Sequence, residues 1–135
     1  MDAAMDLNEI KDLGFSLRQI DQTLLKSGKD SSIKRIWYQG DESYFDMFFD
    51  IQNNQIVWFQ FTLRGKVVLW DKDKLVLYTG TTGELDPDDV NYYPSSKLIK
   101  IDSKVDFAFV ELVRSILQTR SGEDNFEKAL ALFES

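Results

Sequence analysis

The sequence predicts an α+β fold: an antiparallel β-meander of about five to six strands, with an N-terminal helix and two C-terminal helices packed on it. Three observations carry this. Residues 44–78, YFDMFFDIQNNQIVWFQFTLRGKVVLWDKDKLVLY, read as short apolar runs separated by turn-forming pairs. Helical spacing of apolar residues is confined to the two ends of the chain, 6–27 and 103–134. Strands and helices are therefore segregated rather than alternating, which argues against parallel βαβ units.

In order along the chain, Leu7, Ile10, Leu13, Leu17, Ile20 and Leu24 recur at helical spacing. Gly14 interrupts them, and Ser16 with Gln19 offers a capping box, so either two short helices or one bent helix is expected over 6–27. A polar loop, Ser27–Ser32, leads to a first strand at Ile33–Tyr38, and Gln39–Ser43 is a turn. Asn53-Asn54 and Arg64-Gly65 are two-residue hairpin turns on the strength of residues that tolerate positive φ. Lys72-Asp73 is a weaker third.

If all three turns have two residues, Ile51 faces Ile56, Phe49 faces Trp58, Phe59 faces Trp70 and Leu69 faces Val76. One face then carries Phe45, Met47, Phe49, Ile51, Ile56, Trp58, Val67, Leu69, Val76 and Tyr78. The other carries Tyr44, Phe48, Val57, Phe59, Phe61, Leu63, Val68, Trp70, Leu75 and Leu77. Neither is polar, and apolar residues at both parities keep that true for other loop lengths. Such a sheet needs cover on both sides. The C-terminal helices supply one cover; the N-terminal helix or a second copy of the chain is expected to supply the other.

Gly80–Ser96 reads as a long acidic connection, and the Lys97–Ile101 segment as a short edge strand. Ser103 is the expected cap of a helix whose stripe is Val105, Phe109, Leu112, Val113, Ile116 and Leu117. Ser121-Gly122 breaks it, and a shorter helix at Glu123–Phe133 follows. The whole, 1–135, is expected to be a single domain. Its parts are a helical N-terminal segment 1–28, a sheet 33–101 holding the acidic loop 80–96, and a helix pair 103–134.

Composition narrows function. The 135 residues carry a formal net charge of −7, which disfavours nucleic acid and anionic lipid and favours a basic partner. Neither histidine nor cysteine is present. Disulfides, thiol nucleophiles, Ser-His triads and the usual zinc ligand sets are thereby excluded, and no cofactor is expected. The N-terminus lacks the basic and apolar regions of a signal peptide. Apolar runs such as Val67–Trp70 are far short of the ~20 residues of a membrane helix. A cytoplasmic location with no membrane contact is expected.

Several groupings invite functional readings. Trp37, Trp58 and Trp70 could line an aromatic pocket, although a strand Trp is more often core. Asp46 and Asp50 share a sheet face with Tyr44, Phe48 and Phe61, where burial could raise a carboxyl pKa. Their separation of roughly 13 Å, at ~3.3 Å per residue, exceeds that of glycosidase pairs. The aspartates more simply keep a strand margin soluble. Asp86, Asp88 and Asp89 with Glu84 and Asn91 supply oxygen ligands but lack EF-hand spacing, and Tyr92-Tyr93 make the same loop adhesive. Gly80-Thr81-Thr82-Gly83 is too short for a phosphate-binding loop, so ordinary turn chemistry is expected there.

Trp37-Tyr38, Tyr44-Phe45-Asp46, Phe59-Gln60 and Trp70 together resemble the pattern of a family of small bacterial proteins of uncharacterised function. The resemblance covers residues 37–70. It departs from the family at Trp58, where the pattern has glycine, and in lacking a histidine-bearing segment after the last Trp. It implies a fold and no activity. Leu13-Gly14-Phe15-Ser16-Leu17 is similar to a helix pair of MerR-like regulators, but no basic reading helix accompanies it.

The functional expectation is a non-catalytic protein-binding module: an accessory, immunity-type or chaperone-like protein whose partner is another, basic protein or a second copy. The candidate contact residues are Trp37, Tyr44, Asp46, Phe48, Trp58, Trp70, Tyr92 and Tyr93. The alternative is a small-ligand carrier or sensor with an aromatic pocket between the sheet and the N-terminal helix. Carboxylate-based catalysis is the remaining option.

Overall fold

A computed structural model describes residues 6–20, 33–82 and 99–134. They form an α+β fold in which a seven-stranded antiparallel sheet runs in strict sequential order. The strands are β1 (Arg18–Gln19), β2 (Ile33–Gln39), β3 (Asp46–Gln52), β4 (Gln55–Leu63), β5 (Lys66–Asp71), β6 (Tyr78–Thr82) and β7 (Ile99–Ile101). The helices are α1 (Leu7–Ser16), α2 (Phe107–Gln118) and α3 (Asp124–Ala131).

Two hairpins form as the local chemistry dictates. Asn53 and Asn54 have φ of 55° and 64°, and Arg64 and Gly65 have 53° and 84°. Positive φ at both central positions is the primed turn whose twist matches the flanking strands. The third turn differs from expectation. The Asp71 carboxylate accepts from the backbone N–H of Asp73 (3.0 Å) and Lys74 (2.9 Å), drawing the chain into a wider loop over residues 72–77. Leu75 and Val76, expected in a strand, are therefore exposed in that loop, and Leu69 pairs with Tyr78 rather than Val76.

A second departure lies in the β3–β4 hairpin. Ile51 pairs with Ile56 but Asp50 pairs with Trp58, leaving Val57 as the extra residue of a β-bulge. Phe49 therefore faces Phe59, not Trp58, and the Phe59–Trp70 pair stands as expected. The bulge re-sorts the faces. The first carries Ile36, Tyr38, Met47, Phe49, Phe59, Phe61, Leu63, Val68 and Trp70, all buried. The second carries Arg35, Asp46, Asp50, Gln60, Thr62 and Asp71 among its aromatics, so it is mixed rather than the predominantly apolar face expected.

All three helices put their buried side chains into one core with the first face. Phe126 of α3 meets Tyr38 edge-on at 5.0 Å, and Asn125 Nδ2 donates to the Tyr38 hydroxyl at 3.1 Å. Phe133 meets Phe59 edge-on at 5.9 Å. The cap of α2 is Asp106 rather than Ser103, because Thr79 reaches it. The Thr79 hydroxyl donates to Asp102 (2.6 Å) and accepts from the Asp106 N–H (2.9 Å), and Asp106 in turn accepts from Phe109 N–H (3.1 Å). That bond, with Lys66 beside it, holds the Asp106 carboxyl below the usual carboxylate range.

The N-terminal helix does not cover the second face. α1 lies against α2, where Gly14 is required: a Cβ there would meet Thr119 Oγ1 at 1.8 Å. No second helix starts at Ser16. Its hydroxyl instead donates to the Leu13 carbonyl and accepts from Asp41 N–H, and the chain continues into β1. Thr81 and Thr82, expected in a loop, extend β6 and pair with β7. The rest of the acidic connection and the 21–32 segment lie outside the described residues.

Candidate functional site

The register lines up three cross-strand rows on the second face. One runs Trp37, Phe48, Gln60, Leu69, Tyr78. Its neighbour on one side runs Arg35, Asp50, Trp58, Asp71, and on the other Gln39, Asp46, Thr62, Val67, Gly80, Ile101. Burial grades across them. Asp46, Gln60, Thr62, Val67 and Leu69 are buried, whereas Arg35, Trp37, Phe48, Asp50, Trp58 and Tyr78 are half-buried.

The half-buried groups are held in fixed pairs. Trp37 and Phe48 stack with ring centroids 5.5 Å apart and planes 6° from parallel. Arg35 forks onto Asp50 through Nε (2.8 Å) and Nη2 (3.0 Å), and its guanidinium lies 5.2 Å from the Trp58 ring centroid. The Asp50 bond raises the Arg35 pKa further. Lys74 Nζ lies 4.5 Å from the Tyr78 ring centroid. The Tyr78 hydroxyl donates to Asp71 (3.0 Å), and burial together with that bond pushes the phenol pKa up. Gln60 Nε2 donates to the Thr62 hydroxyl at 3.2 Å. The face thus offers flat aromatic surface with oriented charge beside it.

Of the residues expected to form a contact surface, Trp37, Asp46, Phe48 and Trp58 come together on this face. Trp70 does not: it is buried on the opposite face in the helix-packed core. Tyr44 stands in the turn before β3 with φ of 60° and an exposed ring. Tyr92, Tyr93 and the acidic cluster Asp86–Asp89 lie outside the described residues. Asp46 and Asp50 do share a face, but Phe61, expected beside them, points the other way. Asp50 is committed to Arg35. Sequence reasoning missed Arg35 and Tyr78. Arg35 stands two positions before Trp37, and strand alternation alone places it on the same face. Tyr78 had no such signal, because its face depends on the 72–77 loop.

Among the described residues no group of three or more carboxylates could hold a metal ion, and no helix is long and apolar enough to cross a membrane. Comparison with protein-family models, with curated proteins and with solved structures finds no match.

Proposed function

We propose that this chain is a non-catalytic protein-binding module whose contact surface is the second sheet face. The observation that supports the reading is the gathering of Arg35, Trp37, Trp58 and Tyr78, half-buried, on one face. Trp, Tyr and Arg are the residues in which binding energy concentrates at protein interfaces, because each brings a large rigid surface and a polar handle. The Asp50 and Asp71 carboxylates and Lys74 give the polar rim that accompanies such a centre. A net charge of −7 selects a basic partner by steering its approach. An accessory, immunity-type or chaperone-like role fits this chemistry.

The test is affinity capture from the source cell with the wild-type chain, Trp37→Ala and Trp58→Ala, with Phe107→Ala on the helical side as control. A basic protein retained by wild type and Phe107→Ala but lost with both tryptophan variants is the expected result. Equal retention by all four proteins would remove this face from the reading.

A small-ligand carrier is the second reading, favoured by one observation. The Trp37 Nε1–H is buried and has no acceptor among the described residues, so a ligand oxygen could serve it. A metabolite screen followed by tryptophan fluorescence separates the readings. A ligand-dependent shift that disappears in Trp37→Phe supports the carrier.

A further inference from the structure

We infer that residues 6–20 form a strap that releases from the body of the fold as one unit, with the Arg120 guanidinium as its latch. Three features point to it. First, the strap is lightly buried: among residues 6–20 only Leu13, Gly14 and Leu17 are buried, whereas most residues of β3–β5 are. Secondly, apart from the core contacts of Ile10, Leu13 and Leu17, its attachments to the other described residues are mainly polar. Glu9 pairs with Arg64 at 3.3 Å, Ser16 meets Asp41, and β1 has two residues on the β2 edge. Thirdly, one side chain holds its centre. Arg120 Nη1 donates to the carbonyls of Gly14 (2.9 Å) and Leu17 (2.8 Å) where α1 ends, adding to the Leu17 N–H bond that the Gly14 carbonyl already accepts. The rest of the same guanidinium grips Glu123 and lies 4.5 Å from the Phe126 ring centroid, so the latch is anchored in α3.

Release has a local consequence. Gln19 pairs with Tyr38, Arg18 with Gln39, and the Ile20 N–H donates to the Trp37 carbonyl at 2.8 Å. Withdrawing the strap frees the backbone edge of β2 at Trp37–Gln39, beside the stacked Trp37–Phe48 pair. A freed strand edge is what an incoming extended segment takes by β-addition. Use of that edge by a partner rests on the protein-binding reading above. Release itself does not, and it is measured on the free chain.

Hydrogen exchange read by mass spectrometry on the full chain tests it. Amides of residues 7–20 are expected to exchange together, about tenfold or more faster than those of β3–β5. Arg120→Lys, which keeps the charge but loses the fork, is expected to speed the strap about tenfold again and leave β3–β5 unchanged. Gly14→Ala, which sets a methyl against Thr119, is expected to act on the same segment. Exchange of the strap at the rate of β3–β5 in the wild-type chain overturns the inference. So does an equal acceleration of the whole chain, or no acceleration, in Arg120→Lys. If both variants fail to fold, the wild-type comparison alone decides. A releasing strap with no partner captured would retain the latch and remove the use assigned to it.

Discussion

The two faces of the sheet solve the same problem in different ways. On the first, aromatic bulk is buried against helices: Phe49, Phe59 and Phe61 are fully buried, and Phe126 and Phe133 close over Tyr38 and Phe59. On the second, half-buried rings are dressed by the chain's own cationic groups, Arg35 on Trp58 and Lys74 on Tyr78, or stack on one another, as Trp37 and Phe48 do. The first arrangement draws its stability from apolar area removed from water and from close packing. The second leaves flat surface within reach of another molecule while satisfying charge locally. A face that must be covered serves the fold, whereas a face that is only dressed can serve recognition.

Deletions would break this contrast most severely. Removing Gln60 would carry residues 61–63 to the opposite face, because strand side chains alternate. Phe61 and Leu63 would leave the core, and no cooperative urea transition is expected. Removing Val57, three positions earlier, deletes the bulge residue and leaves Asp50 opposite Trp58. It should keep a cooperative transition, at a cost of about 1–2 kcal/mol.

Neighbouring substitutions on opposite faces sharpen it further. Phe59→Ala removes a ring that is 0% exposed and should cost about 3–5 kcal/mol in denaturant unfolding. Trp58→Ala should cost about 1 kcal/mol, because its ring is only half-buried. A larger loss at Trp58 than at Phe59 would mean that the second face, not the first, is the structural core.

At the junction of sheet and helices, Thr79→Val keeps the shape but deprives Asp102 of a donor and the Asp106 N–H of its acceptor. A loss of about 1–3 kcal/mol is expected.

The smallest effect is the response to pH. Glu42, Asp106 and Glu123 are all held below the usual carboxylate range. The causes are, in turn, the hydrogen bond from Arg64, that from Phe109 N–H and that from Arg120. A carboxyl depressed in the folded state binds its proton more readily when unfolded. Its contribution is therefore present above the unfolded pKa of about 4 and is lost as pH falls through the lower folded value. With no histidine to titrate, stability should be flat between about pH 6 and 8 and fall only below about pH 4. Asp106→Asn, which retains an oxygen for Phe109 N–H but not the Lys66 pair, should make that acid limb shallower in thermal melts.

How much was legible follows from how local each feature is. The Asn53-Asn54 and Arg64-Gly65 turns were readable because positive φ is a property of those residues alone. The α2 stripe was readable because helical spacing lies within one segment. The bulge at Val57 was not, since nothing in Ile56-Val57-Trp58 distinguishes an extra residue from a paired one until β3 is laid beside it. The face of Tyr78 was hidden for a related reason: the Asp71 carboxylate, by capping two backbone N–H groups, sets the loop length. Half of the expected contact set, Trp37, Asp46, Phe48 and Trp58, falls together on one face. Trp70 was misplaced because a buried and a half-buried tryptophan look alike in sequence.

The sequence by itself therefore determined the antiparallel meander between terminal helices and the two primed hairpins, which rest on contacts near in the chain, and, by composition, the acidic, histidine-free chemistry. The tertiary structure alone decided which aromatics became core and which became surface. It also decided that α1 lies beside α2 and that Arg120, over a hundred residues away, binds the carbonyls at the end of α1. Those outcomes depend on register and on packing between distant segments, where one extra residue in β4 turns a side chain from one face to the other.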